Sequence, residues 1–245
     1  MKKISYAVGA YFGNRNVSHP NYLNDYTWYL KKHLEYLNTQ TIQPDKIYIV
    51  YKFDNNVDIN LIKGELNRMC ENDNRIILEE KENLGATYCS WKDALHLDNG
   101  NSDYMVLVED DYILYDTQAI ELMLEYFNND KDLFYICQKW NPNPYQSLDY
   151  VIPAHAALPS GMMDNKLYHK CRTEYGIDFR LRYGTGYDIY CANNAEFVED
   201  FRQFGLKMRD WTETYSSYFP HSSIDLGNAN GKKLIVPVDR DLGYF

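Results

Sequence analysis

The sequence lacks any long apolar run. Its longest uninterrupted apolar stretches, near residues 47–51 and 105–108, reach only about five residues, and a membrane-spanning helix needs roughly 20. No membrane span is therefore expected. The basic start Met1-Lys2-Lys3 is followed by no extended apolar segment, and Gly13, Asn14 and Arg15 come soon after it, so no signal peptide is expected either. Basic residues are outnumbered: 25 Lys and Arg against 35 Asp and Glu give a net charge of −10. A chain so acidic is poorly suited to nucleic acid, which needs clustered cations. Cysteines are few and unpaired in pattern. Cys70, Cys89, Cys137, Cys171 and Cys191 are odd in number and form no C-x-x-C motif, which excludes a zinc ribbon and a disulfide frame. Reduced thiols in a cytoplasmic protein are the expectation. No G-x-G-x-x-G follows the first apolar run, which disfavours a dinucleotide-binding enzyme. Repeats, linkers and low-complexity blocks are missing as well.

What is present fits a globular chain. Its 245 residues are 45% hydrophobic and 24% charged, enough to bury a core without metal or disulfide staples. One domain over residues 1–245 is expected. Tyrosine is abundant, at 24 residues, but its distribution carries no functional signal.

Strand and helix signals alternate through the first half. Residues 4–10 form a short apolar run ended by Gly13. Tyr22, Tyr26, Tyr29, Leu30, Leu34 and Leu37 recur at helical spacing. Strands are then predicted at 46–51, 75–78 and 104–108, with helices at 60–70 and 86–97 between them. Such a β-α-β-α-β-α-β order with doubly apolar strands predicts an α/β fold, a mostly parallel sheet with helices on both faces. Ligands of such sheets bind outside the C-terminal strand ends. Past residue 111 the pattern loosens: strands are expected at 133–138, 187–192 and 234–238, a helix at 195–204, and an irregular stretch from 141 to about 164.

Glu109-Asp110-Asp111 follows the fourth predicted strand directly. Adjacent carboxylates repel by roughly 1–4 kcal/mol per close pair. A divalent cation is a natural offset, and carboxylate oxygen suits Mg²⁺ or Mn²⁺. Divergence of the charges into water is the alternative.

The run Val-Leu-Val-Glu-Asp-Asp resembles the D-x-D-type motif of GT-A (Rossmann-like) glycosyltransferases, in the Glu-Asp-Asp form of inverting N-acetylglucosaminyltransferases. Glu82-Asn83-Leu84-Gly85-Ala86 is similar to the N-x-G segment of family 2 members, and Arg209-Asp210-Trp211 resembles their late E-D-W motif, with Arg209 in place of the usual Glu. The resemblance implies transfer of a sugar from a nucleotide-diphosphate donor to a glycan or other hydroxyl acceptor, metal-dependent and inverting. It implies a nucleotide-binding half, 1–111, and an acceptor-binding half, 112–245. Asp111 becomes the metal ligand, with Glu109 in support and His221 as a late further ligand. Asp110 becomes a donor or ribose contact. Tyr11, Gly13 and Asp54 lie where the base would sit, and Asn83 and Gly85 also fall in the donor site.

A base must take the acceptor's proton. Asp210, Glu213 and Asp188 are the candidates. Asp210 and Glu213 also fit a helix cap and a capping box opening a helix at Trp211, and Asp188 follows the Gly-rich turn Gly184-Thr185-Gly186. Lys81, Lys92 and Arg15 are possible phosphate contacts or ordinary surface charges. Trp91, Tyr11 and Tyr51 are stacking groups or core. Two other functions compete. A sugar nucleotidyltransferase needs a Gly-rich basic loop after the first strand, where residues 10–16 offer one Gly and one Arg. A non-catalytic nucleotide- or glycan-binding module would have lost its base.

Overall fold

The computed structural model describes residues 2–13, 20–54, 56–82, 84, 86–141, 145–147, 149–152, 155–184, 187–210, 228–229, 232–233 and 235–237. In chain order the first elements are β1 (Ile4–Phe12), α1 (Pro20–Asn24), α2 (Trp28–Leu37), β2 (Lys46–Phe53), α3 (Ile59–Asn72), β3 (Ile76–Glu80), α4 (Ala86–Asp98) and β4 (Tyr104–Glu109). There follow β5 (Tyr112–Leu114), α5 (Ala119–Asn129), β6 (Leu133–Asn141), β7 (Tyr145–Gln146), β8 (Val151–Ile152) and β9 (His155–Asp164). The remainder comprises α6 (Asn165–Tyr175), α7 (Tyr187–Glu196), α8 (Glu199–Gln203), β10 (Lys207–Asp210), β11 (Asn228–Ala229), β12 (Lys232–Lys233) and β13 (Ile235–Pro237).

Seven strands form one sheet in the order β10-β6-β9-β4-β1-β2-β3. The strands β1 to β4 are mutually parallel, as their apolar runs and intervening helices require. Only β9 runs against its neighbours, β4 and β6. The chain leaves β1 for β2 and β3 on one side and returns to β4 on the other. The β1/β4 boundary is therefore a topological switch point, and in such sheets ligands bind at the C-terminal strand ends beside it.

Alternate residues of the strands feed two cores. Tyr6, Val8, Ala10 and Phe12 of β1 pack with Leu30 of α2, Ile62 and Leu66 of α3, and Met123 and Phe127 of α5. On the opposite face Ala7, Val50, Met105 and Leu107 pack with Tyr88 and Trp91 of α4, Tyr168 of α6 and Phe201 of α8. Phe179 and Phe197 stack there with centroids 4.2 Å apart. Gly9 lets α4 lie close: a Cβ at this position would come within 2.5 Å of Thr87 Cγ2 and 3.2 Å of Ser90 Cβ.

Several expectations past residue 111 are corrected. Residues 187–192 belong to the helix α7, not a strand. Asn193 caps both polar groups of the Arg182 backbone, donating to its carbonyl at 2.8 Å and accepting from its N–H at 2.5 Å. Buried Glu196, one turn on, takes the Arg182 guanidinium at 3.0 Å. The expected helix 195–204 is the end of α7 followed by the separate α8. The stretch 141–164 holds the ten-residue strand β9. The expected helix through residues 22–37 breaks near Asp25, whose carboxylate accepts from the Thr27 N–H at 2.9 Å and hydroxyl at 2.6 Å in an Asx-type turn. At the far end of the chain β13 pairs antiparallel with β5, so the predicted strand at 234–238 is present.

At the N-terminal edge of the sheet the buried carboxylate of Asp98 collects five donors. They are Ser5 Oγ at 2.8 Å, Tyr48 Oη at 3.1 Å, Ser102 N–H at 2.9 Å, Ser102 Oγ at 3.1 Å and Asn165 Nδ2 at 2.6 Å. Asp98→Asn replaces one acceptor oxygen by an amide that can only donate toward the same donors. It is expected to cost roughly 2–4 kcal/mol in urea unfolding with an unchanged m-value. A loss under about 0.5 kcal/mol would show that the cluster does not depend on the second oxygen.

Candidate functional site

The switch point gathers polar groups at the C-terminal ends of β1, β2 and β4. β4 ends at Glu109 and turns through Asp110 and Asp111 into β5. Asp110 is 5% exposed, and its Oδ2 accepts the backbone N–H of Tyr11 at 2.9 Å, which pins the turn to the end of β1. Tyr11 in turn donates its hydroxyl to Asp54 Oδ2 at 3.1 Å, and the Asp54 N–H donates to the Phe12 carbonyl at 2.9 Å. The ends of β1 and β2 are thus tied side by side. Tyr22 of α1 closes the loop from below. Its hydroxyl lies 3.0 Å from the Tyr11 carbonyl oxygen and 2.9 Å from that of Gly13, and it accepts the Gly13 N–H at 3.2 Å. Gly13 must be small, because a Cβ there would collide with the Tyr11 hydroxyl and lie 2.6 Å from Asp54 Cβ.

Phenols surround Glu109. Its half-buried carboxylate is the first cause holding the Tyr190 hydroxyl proton well above the usual phenol range. Burial first, then Glu109, raises Tyr112 in the same direction. Tyr88 and Tyr135 are raised chiefly by burial, with Glu109 adding to it. Tyr88 and Tyr190 pack ring to ring at 5.9 Å. The hydroxyls of Tyr88 and Tyr135 are buried, and that of Tyr88 lies against the Tyr190 hydroxyl. These four groups remain neutral hydroxyls at physiological pH.

Of the predicted site residues, the fold brings Tyr11, Gly13, Asp54, Glu109, Asp110 and Asp111 to one edge. Asp188 lies exposed in the first turn of α7, two residues before Tyr190. Asp210 is the last residue of β10, opposite Cys137 of β6, and the helix expected to open at Trp211 lies outside the described residues. Pairing runs from Asp210 through Cys137 and Gly161 to Leu107, so its backbone stands three strand spacings, roughly 14 Å, from β4. Asn83, Gly85, Glu213, His221 and Arg15 lie outside the described residues. Trp91 and Tyr51 are core, not stacking platforms; the Trp91 Nε1–H donates to the Val108 carbonyl at 2.8 Å. Lys92 pairs with Asp178 at 3.2 Å, and Lys81 with Glu79 at 3.0 Å.

The acidic turn offers only carboxylate oxygen, which suits Mg²⁺ or Mn²⁺ better than zinc. Among the described residues no group of three or more His, Cys, Asp or Glu side chains is placed to hold a metal alone. One or two carboxylates completed by phosphate oxygens is the arrangement Mg²⁺ commonly takes. The residues present fit that arrangement.

Sequence reasoning singled out none of Tyr22, His33, Lys52 and Tyr190 as site residues. Two left a trace. His33 falls on the apolar stripe of its helix, four residues from Tyr29 and from Leu37. Lys52 interrupts the otherwise apolar run of β2. It is 3% exposed, and burial lowers its pKa to about 8 against the opposing pull of Cys89, Asp110 and Asp93.

No family model matches the sequence, and no curated protein matches it. Solved structures do. A mannosyltransferase from Pyrobaculum calidifontis, in complex with GDP-Man and Mn²⁺, is similar with a TM-score of 0.52 at 12% identity, over 85% of this chain and 54% of that one. The chain thus spans about half the length of that structure. A 4-diphosphocytidyl-2C-methyl-D-erythritol synthase from Anaerococcus prevotii is similar at TM-score 0.49 and 14% identity, over 85% and 86% of the two chains. S. aureus TarS 1-349 in complex with UDP is similar at 0.44 and 14%, over 73% and 50%. At 12% identity the first likeness is one of fold: the α/β sheet with helices on both faces.

Lys52 yields a pH prediction. Its folded pKa lies below the unfolded value of about 10.4, so between about pH 8 and 10.4 the unfolded chain binds more protons. Its contribution to stability therefore rises with pH across that window. The raised thiols and phenols pull the other way, so the quantity to measure is wild type minus Lys52→Met. Urea unfolding from pH 7.5 to 10.5 is expected to show that difference moving in favour of wild type as pH rises. A flat difference would mean that Lys52 keeps an ordinary pKa.

Proposed function

We propose that this chain is a nucleotide-sugar-dependent glycosyltransferase of the GT-A type. The observation that carries this reading is the acidic turn at the β1/β4 switch point, with Asp110 buried and pinned by the Tyr11 N–H. The Glu-Asp-Asp motif and the likeness in fold to a mannosyltransferase support it. In this reading residues 1–111 bind the nucleotide and residues 112–245 bind the acceptor.

The nucleoside diphosphate lies across the ends of β1, β2 and β4. The Tyr11–Asp54 pair and Gly13 face its base, and Asn83 and Gly85 belong to the same donor site. Asp110 orients the ribose, and Glu109 with its surrounding phenols faces the donor sugar. Asp111, with Glu109 in support and His221 as a further ligand, would hold Mg²⁺ or Mn²⁺. When bound, such an ion neutralises charge that builds on the departing diphosphate. The acceptor hydroxyl attacks the anomeric carbon from the face opposite the diphosphate. The new C–O bond forms as the bond to the phosphate oxygen breaks, which inverts the configuration. The hydroxyl proton passes to a carboxylate, assigned to Asp210, with Glu213 and Asp188 as alternatives. The position of Asp210 suits this division of labour: some 14 Å along the sheet from β4 leaves room for a sugar between donor and base.

Two measurements test the reading. In thermal unfolding, GDP or UDP with Mn²⁺ is expected to stabilise the wild type by about 2.7 kcal/mol at 100 times its Kd. Asp111→Ala should abolish the metal-dependent part while keeping the stability of the unliganded chain level or higher, since one of three crowded charges is gone. No response to any nucleoside diphosphate would end the glycosyltransferase reading. With a donor in hand, Asp210→Asn is expected to lower kcat by roughly 10² to 10⁴ with donor affinity nearly unchanged. A silent Asp210→Asn beside a large loss in Glu213→Gln would move the base to Glu213. Nucleotide binding without transfer or donor hydrolysis would instead favour a non-catalytic module.

A further inference from the structure

The acidic turn is held from the other face of the sheet as well. His33 of α2 is 1% exposed and reaches across the sheet end to the backbone of Glu109, with Nε2 at 2.8 Å from its carbonyl oxygen. Its Nδ1 lies 3.0 Å from the Tyr6 hydroxyl. A carbonyl oxygen can only accept, so Nε2 carries the proton. In the neutral ring Nδ1 is then the acceptor, and Tyr6 donates to it. Burial holds the His33 pKa down at about 4, which keeps the ring neutral in this tautomer through the physiological range. Both ring nitrogens are therefore committed, one to the carbonyl that closes β4 and one to a buried hydroxyl on β1.

We propose that His33 is a positioning residue for the acidic turn: its Nε2–H, clamped on the Glu109 carbonyl, sets the direction in which Asp110 and Asp111 leave the sheet. The turn then has two anchors from opposite sides. Tyr11 N–H holds the Asp110 side chain, and His33 holds the backbone one residue earlier. A hydrogen bond to the backbone acts on all three acids, because each is carried by the same peptide units. The inference rests on the reading of residues 109–111 as the donor-binding turn. Displacements near 1 Å at such a site can cost about a hundredfold in rate.

Three variants separate positioning from mere filling of the core. Gln places an amide N–H near the position of Nε2, so His33→Gln keeps the clamp. Asn is polar but too short to reach, and Leu fills space without a donor. His33→Leu and His33→Asn are expected to lose 10- to 100-fold in kcat/KM and most of the Mn²⁺-dependent thermal shift with GDP or UDP. His33→Gln should stay within about fivefold of wild type. Loss of packing alone would scale with stability in all three and would show no rescue by Gln. A readout independent of any donor runs in parallel: amide hydrogen exchange at Asp110 and Asp111 should accelerate at least tenfold in the Asn and Leu variants and stay near wild type in Gln. If wild type ignores every nucleotide yet the exchange pattern holds, the functional reading fails and the clamp stands. Unchanged exchange in His33→Asn, or a Gln variant as impaired as Leu, overturns the clamp. If Leu and Asn do not fold, long-range ¹⁵N–¹H correlation of the wild-type ring decides, since a proton on Nδ1 instead of Nε2 removes the proposed bond.

Discussion

Five donors from β1, β2, the turn after α4 and the start of α6 converge on the two oxygens of Asp98. A carboxylate buried this deeply is tolerated only because every donor is in place, and each donor is in place only if its own element is docked. The node therefore couples the N-terminal ends of the first two strands to a helix that begins 67 residues after Asp98 itself. With that edge locked, the C-terminal ends of the same strands emerge at fixed heights. Those heights are what allow the Tyr11 N–H to meet Asp110, and Tyr11 to meet Asp54. One edge of the sheet holds the structure rigid with a satisfied carboxylate, and the other gathers the carboxylates of Asp54 and Asp110 around Tyr11.

The first half was legible because each local signal agrees with its place in the fold. Runs such as residues 47–51 are apolar on both faces because both faces are covered, and the helices between them carry clear stripes. The acidic turn was legible for the same reason: charge directly after a buried strand has few other places to go. The strand β9 was not, since it contains Pro159 and Gly161, both ordinary loop signals. Its pairing explains them. Between Cys137–Gly161 and Lys139–Leu158 the register slips by one residue, and the bulge accommodates a proline that cannot donate to the ladder. Gly161 sits where a Cβ would run into the Ile136 carbonyl. The helix α7 was misread because Tyr187-Asp188-Ile189-Tyr190 has strand-like composition, while polar contacts of its second half with Arg182, 11 and 14 residues earlier, select the helix. His33 and Lys52 were visible as polar intrusions in apolar patterns, but only the fold shows which groups they meet.

The site itself is asymmetric about the sheet. Toward α2 the acidic turn meets a neutral imidazole and a backbone contact; toward α4 and α7 it meets phenols that carry no charge. The charges of residues 109–111 are thus flanked on both faces by dipoles. Such surroundings orient carboxylates without neutralising them.

The antiparallel strand β9 has a consequence for how the chain is made. It occupies the middle of the sheet, between β4 and β6, yet it is completed only at residue 164. Until then β1 to β4 can pair among themselves, while β6 has no neighbour through which to join them. During synthesis the flank of β4, with the apolar run Met105 to Val108, stands open as an unpaired edge for the time needed to add more than fifty residues. An exposed apolar edge is a template for pairing with another chain. The nascent protein is therefore most vulnerable to misassembly just before its central gap is filled, and a chaperone that shields that flank would act in this interval.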